Sequence, residues 1–181
     1  GAQIWTAEVS RGSILGYDPK TYVETSFFGE EDTRSNLVRL LSGTLTKVIN
    51  ETDVLTEFQS KTWTMVVPAG QTELKVTMVY TDRAGTTSAT QHRINDVTLK
   101  VVSPGGTIYW GNNGLLAGNY STAGGSPNTK DTVQNVFLQN PQAGNWTITI
   151  SAHDLNQDEH SETPRVDQDY ALVAYPATSL N

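Results

Sequence analysis

From Thr62 to Tyr175 this chain alternates apolar and polar residues with a period of two, segment after segment. Successive side chains of a β-strand point to opposite faces, so such a segment buries one face and wets the other. In 73–80, Leu74, Val76, Met78 and Tyr80 fall on one side, with Glu73, Lys75 and Thr77 on the other. In 145–152, Trp146, Ile148, Ile150 and Ala152 oppose Thr147, Thr149 and Ser151. The same reading predicts strands over 62–67, 97–102, 107–110, 133–138 and 170–175. Turn formers stand between them: Pro68-Ala69-Gly70, Ser103-Pro104-Gly105-Gly106 and Pro141-Gln142-Ala143-Gly144. Short alternating strands between Gly/Pro turns describe a sandwich or barrel rather than a βαβ protein.

Three segments break the pattern and exceed ordinary loop length: 81–95, 111–132 and 153–168. Long loops on a rigid scaffold are where binding residues concentrate. Residues 1–44 read differently, with candidate strands at 4–9 and 21–28 and a short helix at 35–41, capped by Asp32, Thr33 or Ser35 and ended by Gly43. They are expected to be an extension or linker from a preceding domain, and 45–181 the β domain. Gly1-Ala2 reads as a processing scar, so the chain is expected to be a piece of something longer.

A chain of 181 residues needs no covalent staples to hold a core, and this one has no cysteine, which removes disulfides, thiolate zinc ligands and thiol nucleophiles together. Secretion remains compatible with that absence. The formal charge is −7, and twelve Lys and Arg scattered along the chain argue against binding to a nucleic-acid backbone. No apolar run reaches the roughly 20 residues that span a bilayer, and no secretory signal opens the chain.

Several phrases occur in an order that carries a resemblance. Val48-Ile49-Asn50-Glu51 leads in, and Val79-Tyr80-Thr81-Asp82 ends a strand. Ile94-Asn95-Asp96-Val97-Thr98-Leu99 follows, then Ser103 to Asn112, Val133-Gln134-Asn135-Val136-Phe137, Pro141 to Ile148, and Tyr170-Ala171-Leu172-Val173. From Val48 to Tyr175 the chain resembles the C-terminal β-domain of secreted subtilisin-like serine proteases, which is similar to the proprotein-convertase P domain. Ser35 to Leu41 resembles the segment linking that module to its catalytic domain, without the glycines. The resemblance implies an antiparallel jelly-roll β-sandwich of about eight strands, in an extracellular setting, with a protease catalytic domain preceding it in cis. It implies a non-catalytic accessory role that stabilises the protease.

The residues add no catalytic motif. Serine-protease chemistry needs a nucleophile, a histidine base and an orienting carboxylate. The three histidines, His92, His153 and His160, lie in no subtilisin-like context, and no Gly-x-Ser-x-Gly elbow occurs. Calcium is the better chemical candidate, because the loops hold hard oxygen donors: Asp82, Asn95, Asp96, Asn112, Asn113, Asn128 and Asp131. Members of the resembled family bind calcium in these loops. Thr98 and Asn113 stand where that family has carboxylates, and each loss removes a formal charge, so affinity should fall. Asp82 and Asp96 have a plainer use, bonding turn backbone. The acidic run 154–169 is a second, vaguer metal candidate.

Trp63, Trp146, Phe137 and Tyr170 lie in strand patterns and are expected in the core. Tyr109 and Trp110, with Tyr120, are candidates for a platform that stacks a sugar or peptide, which would make the chain a carbohydrate- or protein-binding module instead. Sequons at Asn50, Asn119 and Asn145 could carry glycans, and Asn119, in a loop, fits best.

Overall fold

The computed structural model describes residues 45–88 and 93–181. The strands and helix expected within 1–44, and His92, lie outside the described residues. All regular structure among those described is β. Nine strands follow in order: β1 (Lys47–Thr56), β2 (Ser60–Val67), β3 (Glu73–Val79), β4 (Asp96–Val102), β5 (Ile108–Trp110), β6 (Val133–Gln139), β7 (Gly144–Asp154), β8 (Asp167–Tyr175) and β9 (Ser179–Leu180). The seven strands expected from alternation all form, with ends shifted by a few residues.

The strands make two antiparallel sheets, one in the order β1-β8-β3-β6 and the other β5-β4-β7-β2-β9. Within them β1 pairs β8, β2 pairs β7, β3 pairs β6 and β4 pairs β5. This nested pairing is a long double ribbon rolled into a sandwich, the jelly-roll arrangement. β9 extends one edge by pairing β2.

The core lies between the sheets, filled by the faces that alternation predicts. Leu74, Val76 and Met78 on β3 meet Leu172 and Ala174 on β8, facing Leu99, Val101, Trp146, Ile148, Ile150 and Met65 from the other sheet. Trp63 meets Tyr170 edge-on, their ring centroids 5.9 Å apart.

Phe137 departs from expectation. It is buried, but Val136 and Leu138 on either side take the core face, so alternation sends Phe137 to the outer face of the four-stranded sheet. There the β5–β6 loop covers it. Ser121 N–H donates to the Phe137 carbonyl (2.7 Å), Phe137 N–H donates to Ser121 Oγ (3.1 Å), and Lys75 Nζ lies 5.5 Å from the ring centre.

Alternation missed the two-residue β9 and, more tellingly, β1. Its middle, Asn50-Glu51-Thr52-Asp53, is wholly polar, and the pairing with β8 slips between Asn50 and Val54. A bulge resets the register, so no single period runs through the strand.

Within each sheet odd strands run against even ones. The connections after β1, β3, β5 and β7 therefore share one end of the sandwich, and those after the even strands share the other. The long connections, with described residues 80–88 and 93–95, 111–132 and 155–166, gather at the first end with the short turn 57–59, and the other short turns lie at the second. Among the described residues no helix is long and apolar enough to cross a membrane.

Candidate functional site

The long-loop end is stitched by side chains rather than by backbone pairing. Asn95, fully buried just before β4, is the hub. Its Oδ1 accepts from the N–H groups of Asn156 (2.9 Å) and Gln157 (3.1 Å). Its Nδ2 donates to the Gln157 carbonyl (2.8 Å) and Gln168 Oε1 (2.9 Å). The Tyr80 hydroxyl donates to the Asn95 carbonyl at 2.9 Å. One amide thus ties the β3–β4 loop to the β7–β8 loop and the start of β8. Asp82 closes the β3–β4 loop on itself, its carboxylate accepting from the N–H groups of Ile94 (2.7 Å) and Asn95 (3.0 Å). Arg83 spans to the β7–β8 loop, donating from Nη2 to the Asp158 carbonyl (3.0 Å) and lying 2.8 Å from Glu159 Oε1 through Nε.

The β5–β6 loop is held by a second group. Asn112, at φ +62°, accepts from Asn135 N–H (2.8 Å) and donates to the Val133 carbonyl (2.9 Å) and to Asp131 Oδ2 (3.0 Å). Asn128 donates to the same Asp131 oxygen at 2.7 Å, and its own Oδ1 accepts from the N–H groups of Lys130 and Asp131. Asn113 donates across the loop to the carbonyls of Thr122 (2.7 Å) and Gly124 (3.1 Å). Gln134, fully buried, joins the loop to β4: its Oε1 accepts from Leu99 N–H at 2.9 Å and its Nε2 donates to the Val97 carbonyl at 2.9 Å. Arg93 Nε donates to the Thr129 carbonyl, linking the two groups.

These bonds decide what the calcium candidates have left to offer. Both carboxylate oxygens of Asp82 and the side-chain oxygens of Asn95 and Asn112 already accept N–H groups. Asp96 is buried, takes a bond from the Thr98 hydroxyl (3.3 Å), and has Arg93 Nη2 3.7 Å from its Oδ2. Asp82, Asn95 and Asp96 belong to the first group, and Asn112, Asn113 and Asp131 to the second. A calcium ion takes six to eight oxygens at 2.3–2.6 Å. Among the described residues no three His, Asp or Glu side chains are placed together to hold a metal. Among the carboxylate oxygens of the set, Asp131 Oδ1 lies on an exposed residue with no hydrogen bond to the described residues, whereas Asp96 Oδ2 is buried with Arg93 as its neighbour.

The acidic run at 154–169 holds one close pair that spacing alone did not reveal. Asp167 is fully buried; His160 Nδ1 lies 3.3 Å from its Oδ1, and the Thr163 hydroxyl donates to its Oδ2 at 2.6 Å. The hydroxyl bonds the carboxylate and not the imidazole, the reverse of the connectivity a nucleophile–base pair requires. His153 lies exposed beside Phe58, ring centroids 6.4 Å apart.

The three proposed platform aromatics do not share a face. Tyr109 and Trp110 are neighbours on β5 and point to opposite sides. Tyr109 packs on the core, 6.2 Å from the Trp146 ring, whereas Trp110 lies on the outer face with Lys100 Nζ 5.8 Å from its centre. Tyr120 is exposed on the β5–β6 loop. Asn119, beside it, is exposed as a glycan acceptor must be, while Asn50 lies in β1, its backbone opposite Ala171.

Two hollows open at the long-loop end. One, of about 630 Å³, is lined by Asn112, Asn113, Leu115, Leu116, Asp131 and Phe137, among others. The second, of about 510 Å³, is walled by Asp82, Arg83, Arg93, Lys130 and Asp131. Asp131 lines both. No family model matches this chain, and no curated protein matches it.

A further surface was not anticipated from sequence. The outer face of the four-stranded sheet is mixed, with Glu73, Lys75, Thr77, Asn135 and Gln139 on it, but at one end it carries an apolar patch: Val79 pairs Val133 on one side and Ala171 on the other, and Val173 pairs Val48. Val48, Val79 and Val133 are each more than a third exposed.

Proposed function

We propose that this chain is a non-catalytic accessory domain of an extracellular subtilisin-like serine peptidase, and that it works by covering part of the catalytic domain's surface. The observation that carries this reading is the patch of exposed valines, Val48, Val79 and Val133, on the outer face of the four-stranded sheet. An antiparallel sheet with one face in the core normally turns polar residues to water on the other. Contiguous exposed apolar surface on a soluble domain marks an interaction site. Each Å² of such surface removed from water contributes about 25 cal/mol, so a docked face raises the barrier to unfolding and slows autolysis.

Calcium has a modest part in this reading. With most of the loop oxygens committed to hydrogen bonds, the proposed ligand is the free oxygen of Asp131 with water completing the shell. Such a site binds weakly and contributes little to folding. Adding millimolar calcium or a chelator should therefore shift the melting temperature by about 1 °C or less, and a rise of many degrees would show a tight site that these bonds do not leave room for.

The role itself is tested by comparing the peptidase encoded with this domain to the same peptidase lacking it. The expected result is a shorter half-life against thermal inactivation without the domain. An unchanged half-life, or the absence of an Asp/His/Ser catalytic domain from the parent gene, would remove the proposal. The second reading, a carbohydrate- or protein-binding module, is favoured by a different observation, the paired hollows at the long-loop end.

A further inference from the structure

We propose that Asn113 is a modification site, where the side-chain amide deamidates to aspartate or isoaspartate and so releases the loop it fastens. This holds whether or not the domain is joined to a peptidase. Asparagine is a thermolabile residue, and Asn113-Gly114 is the only Asn-Gly pair in the 181 residues. The reaction takes up water and gives off ammonia, with hydroxide as the base. The Gly114 nitrogen gives up its proton and attacks Asn113 Cγ. Nδ2 takes a proton back from water and leaves as ammonia, which closes a succinimide. Water opens that ring at either carbonyl, giving aspartate or, with the main chain rerouted through the side chain, isoaspartate. Glycine carries no Cβ to shield the attacking nitrogen, and the Gly114 N–H makes no hydrogen bond to the described residues.

The fold holds the departing group. Asn113 Nδ2 donates to the carbonyls of Thr122 (2.7 Å) and Gly124 (3.1 Å), and both bonds must break before the nitrogen can leave. The side chain is also boxed in, since a Cβ added at Gly125 would lie 2.7 Å from Asn113 Cγ. An intramolecular attack runs only from a near-attack geometry. A side chain fastened at its nitrogen and packed at its carbon is not free to seek one. Conversion therefore waits on local opening of the loop.

Once made, the change cannot be accommodated. A carboxylate accepts and does not donate, so the Thr122 and Gly124 carbonyls meet an acceptor where they had a donor. Isoaspartate also lengthens the main chain at a tight place: Gly114 sits at φ +90°, where even an added Cβ would lie 2.8 Å from Thr122 N. The stretch that Asn113 fastens is the one that covers Phe137. Ser121 bonds the Phe137 backbone in both directions, at 2.7 and 3.1 Å, and Gly124 N–H donates to the Ile108 carbonyl at 2.8 Å. Asn112, Asn128 and Asp131 still anchor the rest of the loop through their own bonds. Deamidation thus lifts the stretch 113–125 from β5 and β6, uncovers the Phe137 ring and leaves the sandwich intact.

The test ages the chain in mildly alkaline buffer, folded and in guanidinium chloride, and maps by peptide mass spectrometry which asparagines gain one mass unit. In guanidinium Asn113 should convert first, and Gly114→Ala, compared there because folding is not needed, should slow it severalfold. In the folded chain Asn113 should convert at least about tenfold more slowly than in guanidinium. Asn113→Asp stands in for the aspartate product. Its amide hydrogens at Ser121, Thr122 and Gly124 should exchange at least about tenfold faster, while those of β2, β4 and β7 keep their protection. Four results would each overturn the proposal: another asparagine converting first in guanidinium, equal rates folded and unfolded, unaltered exchange at the three loop amides in Asn113→Asp, or protection lost throughout the sandwich in that variant.

Discussion

Tyr170 packs its ring against Trp63 in the core, and its hydroxyl is buried with no hydrogen-bond partner. Burial pushes its pKa far up from the ordinary value, with the Asp53 charge adding to it. An unmade hydrogen bond of a buried hydroxyl costs about 1–3 kcal/mol. Tyr170→Phe keeps the ring and discards the orphan oxygen, so it should leave urea stability unchanged or raise it by about 1 kcal/mol. A loss of stability would mean that the hydroxyl has a partner. Tyr80 is the opposite case, since its hydroxyl is used at Asn95. Burial, with Asp82 and Asp96 nearby, raises its pKa to about 12 from the usual 10.0. The neutral phenol is the form the fold holds, whereas an unfolded tyrosine ionises near its ordinary value. Below that value the contribution is complete; it is lost as pH rises through the folded pKa. Urea stability should therefore fall between about pH 10 and pH 12, by on the order of 2 kcal/mol from this residue. In Tyr80→Phe the fall should be shallower.

At the scale of elements, what alternation can reach separates from what it cannot. Strands β2 to β8 are legible because one face of each must be apolar, and that demand writes a period of two into the sequence. β1 is not legible, because its polar middle and its bulge erase the period. The three long loops stand out by length, but their work does not, since amides such as Asn95 and Gln134 look alike whether they hold a metal, a ligand or the backbone. The valine patch had a signal that a single-face reading passes over. Tyr170-Ala171-Leu172-Val173-Ala174-Tyr175 is apolar on both sides of the strand, the mark of an element covered on both faces. Two substitutions test the stitching directly. Asn95→Ala strands two loop N–H groups and should cost about 3 kcal/mol or more in urea unfolding; a cost below about 1 kcal/mol would show that water replaces the amide. Gly111→Ala would place a Cβ 2.5 Å from Gln134 Oε1 and 2.8 Å from its Cβ. That displaces the side chain joining the β5–β6 loop to β4, so a loss of about 2 kcal/mol is expected.

For the molecule as a whole, both sheets expose outer faces that mix polar and apolar residues. On the five-stranded sheet the outward residues of β2 and β7 include Thr62, Thr64, Thr147 and Thr149, in register across the pair, with the hydroxyls of Thr62 and Thr149 3.2 Å apart. On β4 and β5 the same face continues through Lys100, Val102, Ile108 and Trp110. The four-stranded sheet gathers Val48, Val79 and Val133 into one exposed patch beside Glu73, Lys75 and Thr77, and this patch is what the accessory-domain reading rests on. The resemblance in the sequence supplied the kind of partner, and the sheet supplies a surface for it. The most direct measurement places a charge on that surface in the intact peptidase, with Val79→Lys and Val133→Lys together, and follows the half-life at a temperature where the enzyme slowly inactivates. The account predicts a half-life shortened toward that of the enzyme lacking the domain, while the double variant of the isolated chain melts within a few degrees of the original. An unchanged half-life, with that chain still folded, would contradict it.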